Sequence, residues 1–175
     1  RSCEDIVYAE PNYRYKLQRT PNDPRYKDQW ALNNTGQSGG RVDADIDAPE
    51  AWDIHTGVKG FLVAILDTGV DTSHPDLVQN LWTNTAETKG KPKVDDDGNG
   101  QVDDVMGWDF IGGKATPTDD VYHGTYVAGI IGAFANNTVG IAGINWNIGM
   151  MICRVADKDG VKLDAAVAAV QYATA

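Results

Sequence analysis

Apolar and polar positions fall along this chain in blocks of two kinds. Phe61-Leu62-Val63-Ala64-Ile65-Leu66 is apolar without a break, the pattern of a strand covered on both faces in a parallel sheet. A second apolar block, Ile148 to Val155, predicts another strand. Elsewhere the spacing is helical. Val127, Ile130, Ile131 and Phe134 recur at i, i+3, i+4 and i+7 between Gly124 and Ala135, which predicts a core-facing stripe. Leu163, Ala166, Val167, Val170 and Ala173 repeat in the same way. Gly124, Ala128 and Gly132 add a line of small residues one turn apart, where another backbone can approach closely. A short helix is predicted over Pro49 to His55, with Asp47 as N-cap and Pro49 in its first turn, ended by Gly57 and Gly60. Helix, strand, loop, helix, strand, helix is the order of an α/β fold with a mainly parallel sheet flanked by helices. There are no internal repeats.

The segments between these blocks modify that picture. Residues 84 to 120 are polar and rich in Gly, Pro and Asp, too long for an ordinary connection and so expected to be functional or ordered by an ion. The first 20 residues are aromatic and basic and run into the turn-rich Thr20-Pro21-Asn22-Asp23-Pro24, which reads as an extended segment and linker. Arg1 is not an initiator methionine, and the last helical pattern reaches Ala175 without a stop signal. The expectation is a fragment whose sheet is incomplete at the C-terminus.

Composition narrows the function. With 42% hydrophobic and 23% charged residues, the 175-residue chain has the make-up of an ordinary globular domain. Its net charge of −10 argues against nucleic acid and makes a cation partner plausible. No apolar run reaches the roughly 20 residues a membrane span requires. Cys3 and Cys153 have no metal or redox spacing, and Cys153 reads as a buried thiol.

Two motifs carry candidate chemistry. In open α/β sheets ligands bind beyond the carboxyl ends of the strands, and Asp67, in Leu66-Asp67-Thr68-Gly69-Val70, is placed there by the apolar run before it. His123 opens a helix in His123-Gly124-Thr125-Tyr126-Val127-Ala128-Gly129. A helix N-terminus disfavours an imidazolium, and a nearby carboxylate would counter that. This is the pairing required when a histidine must take a proton from a serine hydroxyl. His55 and His74 read as structural, as does Asp109.

At these motifs the chain resembles the subtilisin-like serine peptidases, whose DTG-type motif supplies an aspartate and whose HGTxVAG motif supplies a histidine. Asp71-Thr72-Ser73-His74-Pro75-Asp76-Leu77 and the turn Asn136 to Gly143 are similar to the family too. The resemblance implies a serine endopeptidase acting on protein or peptide substrates, secreted, with Asp67 and His123 as two of its three catalytic residues. It further implies that residues 1 to 19 are the end of an inhibitory propeptide, cut between Tyr13 and Thr20, and that 20 to 175 begin the catalytic domain. The propeptide would then be a partner of the same enzyme.

Calcium is implied from two directions. Asp95-Asp96-Asp97-Gly98-Asn99-Gly100-Gln101 matches the first half of a calcium loop, with oxygens at alternate positions and Gly at the sharp turn. Met106 stands where a complete loop has its closing Glu, so Asp103 and Asp104 are expected to close a shorter site with Asp95, Asp97, Asn99 and Gln101. A second site is implied only by resemblance to the thermitase branch of the family. It would use the side chains of Asp23, Asp76 and Asn137 and the main-chain oxygens of Phe134, Val139 and Ile141.

The sequence also departs from the family. Ser2, Ser38 and Ser73 are its serines, and none lies in a GTSxA-type context, so the 175 residues alone are expected to be inactive. Tyr126 stands where the family commonly has a second histidine. An aspartic-protease reading of Asp67-Thr68-Gly69 predicts an all-β chain, which the helical patterns oppose. A non-catalytic calcium-binding or interaction module derived from the same fold remains the alternative.

Overall fold

The computed structural model describes residues 19–175. The propeptide-like tail expected over residues 1 to 19 therefore lies, but for Arg19, outside the described residues, as does Cys3. Three parallel strands form the central sheet: β1 (Leu62–Asp67), β2 (Gly107–Asp109) and β3 (Gly149–Arg154), in the order β1-β3-β2. Four α-helices accompany them: α1 (Ala48–Ile54), α2 (Thr85–Lys89), α3 (His123–Gly132) and α4 (Leu163–Ala173). A two-stranded antiparallel ribbon, β4 (Ala156–Asp157) and β5 (Gly160–Val161), links β3 to α4. The α/β architecture with a mainly parallel, helix-flanked sheet is the one the alternating pattern predicts.

Side chains alternate across β3. Met150 and Ile152 point to one face and pack with Ile65, Leu77, Leu81 and Ala128 of α3. Met151 and Cys153 point to the other and pack with Ala165 and Ala169 of α4. Each fully buried aliphatic side chain of this kind contributes about 1.5–3 kcal/mol through its removal from water. The Cys153 thiol is buried as expected, and burial pushes its pKa up to about 12. A third cluster joins Tyr26, Leu32 and Trp52 to Ala135 and Ala142, anchoring residues near the start of the described chain to the turn after α3.

Three local expectations are corrected. The fully covered strand is β3, in the middle of the sheet, whereas β1 lies at an edge and is mostly only half-buried. In α3 the small residues Gly124, Ala128 and Gly132 face the sheet, while Ile130 is 57% exposed and Val127 and Ile131 pack at the margin. A Cβ added at Gly132 would lie 2.9 Å from the Met150 sulfur, so the helix sits too close to the sheet for a larger side chain. Asp47 occupies the N-cap position of α1 but makes no side-chain cap bond, since its backbone is left-handed at φ 54° and its N–H donates to the Asp45 carboxylate.

Parallel register determines what meets at the carboxyl edge. Asp67 of β1 aligns with Arg154 of β3, which aligns with Asp109 of β2. The last residues of all three strands thus form one row, next to the start of α3.

Candidate active site and acidic centres

Asp67 and His123 come together as the motifs predict. His123 Nδ1 lies 2.7 Å from Asp67 Oδ1, and the same carboxylate oxygen accepts the Thr68 N–H at 2.7 Å. The His123 side chain is 68% exposed and that of Asp67 15%. The histidine pKa is raised from its ordinary 6.5, chiefly by the hydrogen bond to Asp67 and then by the Asp67 charge, with a smaller push from Asp119. With Nδ1 committed to the carboxylate, Nε2 faces outward as the basic nitrogen. A histidine held in this tautomer can take a proton from a third group and hold it while a carboxylate stabilises the cation.

Two glycines permit the approach. Gly69 has φ +103°, and a Cβ there would lie 2.6 Å from the carbonyl oxygens of Pro117 and Thr118. At Gly124 a Cβ would run into the Gly69 carbonyl. The helix start is therefore packed on the strand end backbone to backbone, which puts His123 within reach of Asp67.

A charged brace lies behind the pair. Arg154 donates to Asp109 at 2.9 Å, to Asp120 at 2.9 Å and to the Thr68 carbonyl at 3.1 Å. Asp109 is fully buried and also accepts from the N–H groups of Ile111 and Gly112, which fits its structural reading. His74 and His55 each accept a local backbone N–H, from Asp76 and Gly57, as structural histidines do. The Ser73 hydroxyl donates to Asp71, and among the described residues no serine is hydrogen-bonded to His123. Tyr126 is exposed and lines an open groove of about 600 Å³ with Tyr122, His74, Ile130 and Ile141.

The acidic loop is built differently from its linear motif. Asp97 and Asp104 converge with Glu87 of α2, one carboxylate oxygen from each lying within 4.8 Å of the others. Glu87 has no place in the motif because it comes from the preceding helix. Asp104 is fully buried, bonded to Asn84, Asn99 and Tyr172, and burial raises its pKa. Asp95 instead accepts the N–H groups of Gly98, Asn99 and Gly100, which together lower its pKa. Asp103 accepts the Lys93 N–H, and the Asn99 side-chain oxygen accepts the Gln101 N–H. These oxygen donors suit a hard cation.

Asp23, Asp76 and Asn137 are also brought together. Asp23 accepts the N–H groups of Asn136 and Asn137, while Asp76 accepts from the Asn137 side chain and the Ile141 N–H. The Phe134 N–H bonds the Asp76 carbonyl, and the Val139 N–H bonds the Asn137 side chain. The turn from 134 to 141 is thus wrapped around two carboxylates, Asp23 and Asp76, both buried.

Residues 58–175 match the Subtilase family (Peptidase_S8). The Thermophilic serine proteinase of Bacillus sp. (strain AK1) is 35% identical over 156 residues, which cover 89% of this chain and 30% of that protein. Thermitase of Thermoactinomyces vulgaris is 37% identical over 141 residues, 81% of this chain and 38% of its own length. Subtilisin-like protease 1 of Plasmodium vivax is 45% identical over 96 residues, 55% and 15% of the two chains. Among solved structures, a protease from Pseudoalteromonas arctica matches with a TM-score of 0.59 at 28% identity, over 84% of this chain and 42% of that one. The Aeromonas sobria serine protease, solved with its chaperone, matches with a TM-score of 0.64 at 25% identity, over 86% and 23%. The chain spans less than half the length of each of these proteins.

Proposed function

Because this chain belongs to the subtilase family, we propose that it carries the aspartate and histidine of a serine endopeptidase whose nucleophile is supplied from outside these 175 residues. The observation that carries this reading is the 2.7 Å contact between His123 Nδ1 and Asp67 Oδ1, which leaves Nε2 outward. His123 removes the proton of the serine hydroxyl as it attacks the peptide carbonyl, then returns that proton to the leaving amine. Water enters by the same route to release the acyl group. Asp67 keeps Nδ1 protonated and stabilises the imidazolium at each transfer. The 175 residues alone are inactive.

The test is turnover of a peptide substrate by the full-length enzyme. His123→Ala lowers kcat by roughly 10⁶, the scale seen when a triad base is removed. Wild-type turnover by that variant, or turnover by the isolated 175 residues, overturns the reading.

The acidic centres fit calcium. One site has Asp97 and Asp104 with Glu87 as ligands, and Asp95, Asn99, Gln101 and Asp103 shape its loop. The other has Asp23, Asp76 and Asn137 with main-chain oxygens of Phe134, Val139 and Ile141. A bound ion there supplies charge compensation and rigidity rather than chemistry. Residues 1 to 19 are assigned to an inhibitory propeptide, and the enzyme to the extracellular space, where free calcium is abundant. N-terminal sequencing of active enzyme is expected to start between residues 14 and 20; active enzyme that still begins at or before Tyr13 removes the propeptide assignment.

A further inference from the structure

The contact between Asp67 and His123 is a single hydrogen bond to a largely exposed ring, so its geometry depends on where two backbones are held. One carboxylate outside the pair holds both. Asp119 Oδ1 accepts the Thr68 hydroxyl at 2.8 Å and the N–H groups of Val121 and Tyr122 at 3.0 and 2.8 Å. Its Oδ2 accepts the Thr125 N–H at 2.9 Å and the Thr125 hydroxyl at 2.6 Å. The two hydroxyls pass the grip on: Thr68 Oγ1 accepts the Gly124 N–H at 2.9 Å, and Thr125 Oγ1 accepts the Asp71 N–H at 3.0 Å. Residues that follow Asp67 are thereby tied to residues that follow His123, directly by these two bonds and again through Asp119, which holds both hydroxyls.

The start of α3 needs such a partner. Its first-turn N–H groups have no intrahelical acceptors. Tyr122, at the N-cap position, provides no side-chain cap and is left-handed at φ 74°. A non-glycine residue in that conformation is strained and persists only where its surroundings hold it. Asp119 accepts the Tyr122 N–H and one first-turn N–H, and Thr68 accepts another.

We propose that Asp119 is a positioning residue for catalysis, clamping the end of β1 to the start of α3 so that His123 meets Asp67 in the productive orientation. This rests on the serine-peptidase reading above. Only an ionised carboxylate fulfils the role, because all five groups around it donate. Burial pushes the Asp119 pKa up, but the bonds from Thr125, Val121 and Thr68 outweigh it and hold it below the ordinary carboxylate range. An asparagine fails in either orientation. Its NH2 faces the Thr125 N–H in one and the Val121 and Tyr122 N–H groups in the other.

The experiment measures kcat, KM and the pH profile of kcat/KM for full-length enzyme carrying Asp119→Asn, Thr125→Val or His123→Ala. Asp119→Asn is expected to lower kcat about 100-fold with little change in KM, the scale of a misplacement near 1 Å. Its acid limb moves to lower pH, since a histidine that has lost alignment with Asp67 binds its proton less tightly. Charge removal alone pushes that limb the same way, because Asp67 and Asp119 are the charged groups that bear on His123. Thr125→Val separates the two causes. It leaves every charge in place and removes one arm of the clamp, and it is expected to lower kcat about tenfold and move the limb in the same direction. It also serves if Asp119→Asn does not fold. Wild-type kcat and an unmoved limb in folded Thr125→Val or Asp119→Asn enzyme, beside an inactive His123→Ala, overturn the clamp alone. An active His123→Ala overturns the peptidase reading itself.

Discussion

His123 is exposed, yet its environment controls its proton. The bond to Asp67 raises the pKa above 6.5, so the neutral imidazole needed as a base is populated only at higher pH than an isolated histidine requires. Replacing Asp67 with Asn keeps the shape and removes the charge. The full-length variant is expected to lose about 10⁴ in kcat through the wrong tautomer, and its residual activity should show an acid limb shifted downward. An unmoved limb would mean that Asp67 does not bear on the titrating group. The same shift bears on stability: folded His123 binds its proton more tightly than unfolded, so the contribution is fully present below 6.5 and is lost as pH rises through the raised folded value. Asp67 and His123 were legible because each ends or begins an element that hydrophobic spacing defines. Asp119 was not. In sequence it is one half of an Asp-Asp pair in a polar stretch, and only folding brings Thr68 to it from 51 positions away.

Helices α3 and α4 were legible in position and type, but their faces only in part. Val127, Ile131, Ala166 and Ala173 pack against the core as spaced, and Gly124 meets a backbone as the small-residue line implied. Spacing marks the large apolar residues as the core face, whereas contact with the sheet is made by Gly124, Ala128 and Gly132 in α3 and by Ala165 and Ala169 in α4. Separation decides this: the nearer a helix lies to a sheet, the smaller the side chains that fit between. Ala128 is fully buried and Ile130 is exposed, so the two give opposite predictions. Ala128→Leu must lift α3 from the sheet, and overpacking of this kind costs about 1–3 kcal/mol. Ile130→Ala is expected to change stability by no more than about 0.5 kcal/mol, as exposed substitutions do. Urea midpoints of the two variants compare them directly, and a larger loss for Ile130→Ala would reverse the assignment of faces. Short β2 went unseen for a different reason. Its three residues are too few for periodicity, and they pair with β3 inside a stretch that reads as loop.

Across the whole molecule the net charge is −10, and part of it is concentrated where it costs most. Glu87, Asp97 and Asp104 converge although Asp104 is fully buried and its pKa raised, an arrangement that disfavours three negative charges at once. Only half of this centre was visible in sequence, since the motif covers one loop and Glu87 arrives from α2 through the fold. If calcium neutralises it, adding the ion at about 100 times its Kd stabilises the protein by about 2.7 kcal/mol, or roughly 5–10 °C in Tm. EDTA should remove that gain, and Glu87→Gln with Asp104→Asn should remove the part of the calcium-induced rise in Tm that this centre supplies. The pH dependence supplies a second check. Without the ion, Asp104 binds its proton more tightly folded than unfolded, so its contribution to stability falls as pH rises through its raised value. With calcium bound the carboxylate is held ionised and the sign reverses, stability falling as acid displaces the ion. Melting curves in EDTA and in calcium should therefore diverge as pH rises from about 4 towards neutrality. Curves that stay parallel over that range would show that no cation occupies this centre and that its charges are carried uncompensated.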